Sequence, residues 1–211
     1  DVITEVMPAS VRGRASPRPK VLNCLFSCCL FFFPVSVLAS SHIVIGEVNW
    51  AGSSRSIADE WVEIWNTSSE DQSLAGWSLE GASVRPILFK EMDIIPAHQI
   101  FLLSNYDETN PKSSLAFHPS LVTTDVALSN DTLRLVLRDP QGRIVDEAGN
   151  GGKPLAGATK PLASMLRVEL GQSGGDAFGW ATATTTQHFD PDVPDLGTPG
   201  ISDGSNMEEP P

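Results

Sequence analysis

The sequence predicts an all-β domain, built as a sandwich or a barrel, and two observations support that fold class. Short apolar or alternating segments recur along residues 40–200, separated by turns that use many of the chain's 17 glycines and 16 prolines. No window longer than ten residues beyond Ser40 carries the apolar stripe of an amphipathic helix. Many short strands with Gly and Pro turns, and no helices between them, are typical of sandwiches and barrels.

The predicted strands follow one another at short spacing from residue 42 onward. Each is bounded by Gly, Pro, Ser or Asn, the residues that mark turns between strands. The segments with strand character are HIVIGEVNW (42–50), EWVEIWN (60–66), LAGWSLEG (74–81), PILFK (86–90) and DIIPAHQIFLLS (93–104). Pro96 interrupts the last of these segments and marks a turn or an edge there.

A hairpin is predicted over residues 133–148. In TLRLVLRD (132–139) the leucines at 133, 135 and 137 alternate with the residues of the opposite face. Asp139-Pro140-Gln141-Gly142 then places Pro and Gly at the second and fourth positions of a type I turn. The segment RIVDEA (143–148) returns as the second strand.

Residues 1–39 are predicted to lie outside the fold as an N-terminal extension and signal peptide. Basic side chains follow Met7, then comes the apolar run Val21–Leu38, then small residues before Ser40, which is the order of a secretory signal. The run has 18 residues, close to the minimum for a spanning helix, so an uncleaved anchor at residues 21–38 is the alternative. We therefore expect a secreted or cell-surface protein without disulfides, because the run contains all three cysteines, Cys24, Cys28 and Cys29.

The remainder of the chain is strongly acidic. Residues 1–39 hold four basic and two acidic side chains, which leaves 10 basic and 24 acidic side chains beyond them. A net charge of −14 disfavours nucleic acid as a partner, because phosphate binding depends on Lys and Arg. The polar end of the chain, residues 201–211, is predicted to be disordered.

In this order the segments resemble those of the lamin tail domain family, in its secreted bacterial type. The resemblance runs through IGEVNWAGS, ADEWVEIWN, LAGWSLEG, IIPAHQIFLLS, the hairpin, SMLRVE, Trp180 and LGTPG. It implies an immunoglobulin-like β-sandwich over residues 40–200. His98-Gln99 stands where the family usually has a glycine-rich turn. This difference affects the expected geometry of the turn and not the expected fold. The family's animal members, the tails of nuclear lamins, bind chromatin and proteins, and bacterial members accompany extracellular enzymes such as nucleases.

The resemblance assigns faces to the strand ADEWVEIWN. In such a sandwich Val62 and Ile64 would face the core, and the opposite face would carry Glu63 between two tryptophans. Those tryptophans would form one outer cluster, capped by the chain around Trp77 or Trp180, and Glu63 would be held by backbone amides or by Arg167. Our main interpretation of these residues is structural. The alternative is a sugar or peptide site that uses exposed ring faces, formed by Trp61, Glu63, Trp65 and Trp77.

Two further motifs suggest chemistry. In HFDPDVPD (188–195) the carboxylates of Asp190, Asp192 and Asp195 could bind calcium. Pro194 breaks the EF-hand pattern, however. The preferred interpretation is an acidic segment stiffened by proline. GQSGG (171–175) has the form of a serine nucleophile at Ser173. A trypsin-like protease needs a longer chain, and the strand-turn-helix of a hydrolase is not apparent. We therefore predict no enzyme and no cofactor, with calcium as the alternative.

The sequence as a whole favours a secreted or cell-surface, non-catalytic β-sandwich that binds a protein or glycan of the cell envelope. Two alternatives stay open. One is a structural subunit that associates with itself, and the other is an accessory domain of a longer extracellular hydrolase or nuclease. Contact with a membrane is expected only through an uncleaved signal segment.

Overall fold

The computed structural model describes residues 42–200 and the isolated residue Val2. The predicted signal peptide, the alternative anchor at residues 21–38 and the polar tail at residues 201–211 therefore lie outside the described chain, apart from Val2. Within residues 42–200, no helix has the length and apolar character needed to cross a membrane.

The described chain consists of short strands and one 3₁₀ turn. The strands are β1 (Ile43–Asn49), β2 (Trp61–Asn66), β3 (Gln72–Ser73), β4 (Ser78–Glu80), β5 (Ile87–Leu88), β6 (Ile94–Ile95), β7 (Ile100–Ser104), β8 (Leu121–Val122), β9 (Leu135–Arg138), β10 (Ile144–Ala148), β11 (Ala158–Thr159), β12 (Leu162–Ala163), β13 (Met165–Arg167) and β14 (Trp180–Thr182). A 3₁₀ helix, Ala177–Gly179, precedes β14. The all-β prediction is therefore confirmed for these residues.

Two sheets form the layers of an immunoglobulin-like sandwich. The larger sheet has the order β14-β13-β1-β2-β7-β8, and the smaller has the order β10-β9-β4-β5. Neighbouring strands are antiparallel except β7 and β8, which are parallel. Two small ribbons, β3 with β6 and β11 with β12, lie outside these sheets.

The main hydrophobic core contains apolar side chains from both sheets. Val62 and Ile64 of β2 lie in it, as predicted, and the leucines at 133, 135 and 137 lie in it too. The alternation of each strand explains this placement, because every second side chain faces the opposite sheet. The predicted inward face of β2 and the predicted shared face of these leucines are confirmed.

A β-bulge at Gly46 changes which side chains of β1 face inward. Ile45 pairs with Ile64 of β2, and then Glu47 pairs with Glu63, so one extra residue is accommodated between them. A bulge shifts the alternation by one position, so Val48 returns to the core and Glu47 lies on the outer face. A Cβ at position 46 would lie 1.9 Å from the Trp65 ring, so glycine is required there.

The turns agree with the prediction in two places and differ in a third. Gly142 N–H donates to the Asp139 carbonyl at 2.9 Å, which closes the predicted hairpin turn. Gln99 N–H donates to the Pro96 carbonyl at 3.1 Å, and His98 adopts a left-handed φ of 55°, a conformation that glycine adopts without strain. The predicted strand over residues 74–81 is wrong in its first half, because residues 74–77 form a turn and only Ser78–Glu80 pair.

Candidate functional site

The outer face of β2 is covered, and its two tryptophans belong to separate clusters. Trp61 is 0% exposed and packs with Leu102 and Leu115, whereas Trp65 is 3% exposed and packs with Val44. The predicted single outer cluster is therefore wrong. Its proposed caps, Trp77 and Trp180, lie in the main core between the sheets.

None of the predicted stacking rings presents a free face to solvent. Trp77 is 8% exposed, and the rings at 61 and 65 are covered more completely. Trp61 Nε1 is buried without a hydrogen-bond partner among the described residues. A sugar or peptide could stack on these rings only if the surrounding chain opened.

Glu63 and Glu47 form a buried pair of carboxylates on the outer face. Glu63 accepts hydrogen bonds from Trp65 Nε1 at 2.8 Å and from the backbone N–H of Gly200. Glu47 accepts from the Ser164 hydroxyl, from Thr198 N–H at 2.9 Å and from Thr198 Oγ1 at 2.6 Å. Residues 197–200, which we call the C-terminal strap, thus cover both carboxylates.

Burial controls the protonation of these two groups. Desolvation raises the pKa of Glu63 well above 4.5, and the neighbouring Glu47 charge raises it further. Desolvation also raises the pKa of Glu47, although its hydroxyl and amide donors oppose that effect. The hydrogen-bond donors around the pair are neutral, so the folded state favours retention of a proton.

Glu60, the residue before β2, is another buried acid. Its Oε2 accepts the backbone N–H of Leu128 at 3.0 Å. Desolvation raises the pKa of Glu60 to about 7, because this single amide donor offsets only part of the cost of burying the charge.

Arg167 does not bind Glu63, so that predicted pairing is wrong. Arg167 Nη1 lies 3.3 Å from Asp146 Oδ2, Nη2 donates to the Gln172 carbonyl at 2.6 Å, and the guanidinium lies over the Trp180 ring at 5.0 Å. The alternation of β13 explains the difference. Leu166 lies opposite Glu47 on the outer face, so its neighbour Arg167 faces the other way.

The acidic segment near the end of the domain binds a guanidinium. Asp190 Oδ2 lies 2.6 Å from Arg55 Nη1, and Asp192 Oδ1 lies 2.7 Å from Arg55 Nη2. Asp195 is directed elsewhere and accepts the Ser54 N–H at 2.8 Å. Within residues 42–200, no three His, Cys, Asp or Glu side chains are arranged to hold a metal ion. The three aspartates of the calcium alternative instead contact Arg55 and Ser54.

The glycines around Ser173 have a packing explanation. A Cβ at Gly174 would lie 1.4 Å from the Glu147 carbonyl oxygen, so this loop approaches β10 closely only because it has no side chain there. The Gly174 carbonyl accepts from Trp180 Nε1 and from Gly149 N–H, both at 2.9 Å. Ser173 Oγ accepts a hydrogen bond from Gly175 N–H.

A groove lies where both sheets end, between β5 and β8, and we call it the edge groove. Its volume is about 400 Å³. The edge groove is lined by Ser83, Arg85, Pro86, Ile87, Leu88, Lys90, Leu121, Val122, Thr123 and Asp125. A second cleft of about 390 Å³, which shares Arg85 and Asp125, adjoins it and reaches Val84 and Ala127. Aliphatic side chains and two cations therefore meet at the open side of the sandwich.

The fold agrees with a comparison against known families. A model of the Lamin Tail Domain family matches residues 36–152, more than half of the chain. The chain belongs to the lamin tail domain family. The matched region of this lamin tail domain contains β1 to β10, and β13 and β14 extend the larger sheet beyond it.

Other comparisons add little to the family assignment. This chain is similar to a solved structure of a DUF4876 family protein from Bacteroides thetaiotaomicron, at 11% identity over 80% of this chain and 74% of that chain. The TM-score is 0.40, and a likeness at this level bears on neither ligand nor activity. A comparison of this chain with curated proteins finds no match.

Sequence reasoning missed three features of these sites. Glu47 was not singled out, although a charged residue after Gly46 within an apolar strand is a signal of a bulge. Arg55 has only the local signals of a loop residue, and the fold alone brings it to the aspartates of the acidic segment. The edge groove joins residues from β5 and β8, which no local pattern connects.

Proposed function

We propose that this lamin tail domain is a secreted or cell-surface, non-catalytic module that binds a protein of the cell envelope through the edge groove. The family assignment and the all-β architecture support a module of this kind. The signal-like order of residues 7–39 supports export.

The observation that carries the proposal is apolar exposure at the edge groove and the adjoining cleft. Val84 is 101% exposed, Leu88 is 69% exposed and Val122 is 37% exposed. Leu88 and Val122 line the edge groove, and Val84 lines the cleft beside it. Apolar side chains grouped in this way, with polar residues at their margin, are typical of surfaces that bind another protein.

The lining favours a protein over a glycan. Sugars are commonly bound by stacking on aromatic rings, and the residues that line the edge groove include no aromatic side chain. The tryptophans of β2 are buried. The aliphatic lining instead suits aliphatic side chains of a protein partner.

Co-sedimentation with isolated cell envelopes tests the proposal. The full chain and its Leu88→Asp variant are compared, with Ile57→Asp as the matched control, because Ile57 is 88% exposed but lies outside the groove. We expect Leu88→Asp to lower the bound fraction about fivefold, Ile57→Asp to leave it unchanged, and protease treatment of the envelopes to abolish binding. Equal retention of the wild type and Leu88→Asp would overturn the proposal.

Self-association is the second candidate, because open sheet edges can pair with another copy. Sedimentation velocity at rising protein concentration distinguishes the two. A dimer that Leu88→Asp dissociates would identify the partner as a second copy of the chain.

A further inference from the structure

We infer that the edge groove takes an extended, acidic segment of a partner protein, which adds as a short strand to the open edge of β5. This inference rests on the proposed function and specifies its partner. Three observations support it: the direction of the β5 backbone, the cations beside it, and the aliphatic side chains that line the groove.

The backbone of β5 offers hydrogen-bonding groups to a new strand. Phe89, directly after β5, donates its N–H to the Trp77 carbonyl at 3.0 Å and accepts at its own carbonyl from Gly76 N–H at 3.3 Å. Both groups of Phe89 therefore face the β4 side. Because successive residues of a strand direct these groups to opposite sides, the N–H and C=O of Leu88 point to the open edge.

β5 is the last strand of the smaller sheet, so nothing in that sheet pairs with its outer side. Addition of a peptide strand to such an edge is a common mode of protein recognition, in which backbone bonds give affinity and side-chain contacts give specificity. The groove can supply such side-chain contacts, since Leu88 and Val122 both line it.

The charge of the groove selects the partner. Of the six arginines in residues 42–200, five form ion pairs with carboxylates, namely Arg55, Arg134, Arg138, Arg143 and Arg167. Arg85, in the groove, is the sixth and forms no ion pair within the described residues. Lys90 lines the same groove, also without an ion pair in that region, and Asp125 is the one acid in the lining.

An exposed, unpaired arginine is notable in a protein with 24 acidic and 10 basic side chains beyond residue 39. The lining of the edge groove holds two cations and one carboxylate, so it carries a net positive charge in an otherwise acidic chain. Such an arrangement attracts an acidic segment and disfavours a basic one. Alternating side chains on that segment would place aliphatic residues against Leu88 and carboxylates near Arg85 and Lys90.

A pair of peptides tests the charge preference. The probes are a fluorescein-labelled peptide Thr-Glu-Val-Glu-Val-Glu-Thr and the same peptide with Lys in place of each Glu, measured by fluorescence anisotropy with the full chain. We expect the acidic peptide alone to bind, and its Kd to rise about tenfold in Arg85→Glu and in Lys90→Glu. Lys153→Glu is the matched control, because it makes the same charge change at an exposed site outside the groove.

The backbone contribution is tested at Leu88. Leu88→Pro removes the outward N–H, and an edge strand tolerates proline at a position of this kind. Leu88→Ala removes the aliphatic side chain but retains the N–H. We expect Leu88→Pro to weaken binding of the acidic peptide about fivefold more than Leu88→Ala does. Equal Kd values for the two variants would exclude strand addition, and far-ultraviolet circular dichroism verifies that both fold.

The inference and the proposed function can fail separately. If Leu88→Asp abolishes envelope binding but Arg85→Glu, Lys90→Glu and the acidic peptide have no effect, the groove binds a protein and the acidic-strand inference is wrong. Equal binding of the acidic and basic peptides would likewise overturn the acidic-strand inference alone. If Leu88→Asp has no effect on envelope binding, the proposed function itself fails.

Discussion

Glu47 of β1 and Glu63 of β2 lie directly opposite each other in the larger sheet, and both side chains are completely buried. Two like charges in adjacent cross-strand positions destabilise a sheet, and burial makes each charge more costly. The neutral donors of Ser164, Trp65 and the C-terminal strap reduce that cost. The pair therefore links the pH to the stability of the fold.

The first prediction concerns Glu63→Gln. Because burial raises the pKa of Glu63 above 4.5, the folded state retains a proton that the unfolded state releases. The contribution of Glu63 to the free energy of unfolding is therefore fully present below about pH 4.5, and it is lost as the pH rises through the raised pKa. Glu63→Gln should flatten this fall, because glutamine bears no charge. Its single carbonyl oxygen can accept only one of the two N–H donors, so the slope against pH is the quantity compared. Urea unfolding across pH 4 to 8 measures the change, and the exposed Glu91→Gln is the control. A fall in the variant as steep as that of the wild type would contradict the prediction.

The second prediction concerns Glu60→Gln. For Glu60, the pH range over which stability changes is better defined than for Glu63. Burial raises the pKa of Glu60 to about 7, so stability is lost as the pH rises from 4.5 to 7. Glutamine can still accept the Leu128 N–H without bearing a charge. The variant should gain up to about 3 kcal/mol at pH 8 and little at pH 4. Thermal unfolding of the variant and the wild type at the two pH values measures this gain. An equal gain in stability at both pH values would show that protonation is not the cause.

The third prediction concerns Gly46→Ala. The added Cβ would lie 1.9 Å from the Trp65 ring, so the variant should lose about 3 kcal/mol of unfolding free energy. In a Trp65→Leu background the same change should cost about 1 kcal/mol or less, because the ring is gone. Gly171→Ala is the control, since a Cβ there meets nothing within 4 Å. Equal costs in the two backgrounds would locate the strain in the β1 backbone instead.

The fourth prediction concerns Arg55, which joins the loop before β2 to the acidic segment. Arg55→Ala should lower the free energy of unfolding by about 1–2 kcal/mol, because Arg55 also donates to the Ser113 carbonyl at 2.8 Å. Arg134→Ala, which removes a more exposed ion pair with Glu147, should cost about 0.5 kcal/mol or less. We expect a calcium chelator to leave the melting temperature of the wild type unchanged. A change in melting temperature on addition of the chelator would indicate that this segment binds calcium.

The faces of individual strands could be predicted because alternation is a local property. The shared face of the leucines at 133, 135 and 137 needed only a period of two. Alternation also separated Val62 and Ile64 from the tryptophans, and the family resemblance then indicated which face is inward. The hairpin turn at residues 139–142 followed equally from its Pro and Gly. These predictions depend on residues that are adjacent in sequence.

The partners of the charged residues could not be predicted in the same way. The contact between Glu63 and Gly200 joins residues 137 positions apart, and Arg55 and Asp190 are 135 apart. The predicted pairing of Arg167 with Glu63 was wrong because the sequence does not reveal the register of β13 on β1. That register determines the face that Arg167 occupies. The bulge at Gly46 was missed because alternation assumes a regular strand. Long-range pairing, and one irregular residue, account for these errors.

The C-terminal strap has a consequence for the order of events during synthesis. Thr198 binds Glu47 across a separation of 151 residues, and folding is slow when contacts join distant parts of a chain. The first two strands of the larger sheet leave the ribosome long before the residues that cover their carboxylates. We expect a nascent chain that ends before residue 197 to remain sensitive to protease, and resistance to appear only once the last turn of the domain has emerged.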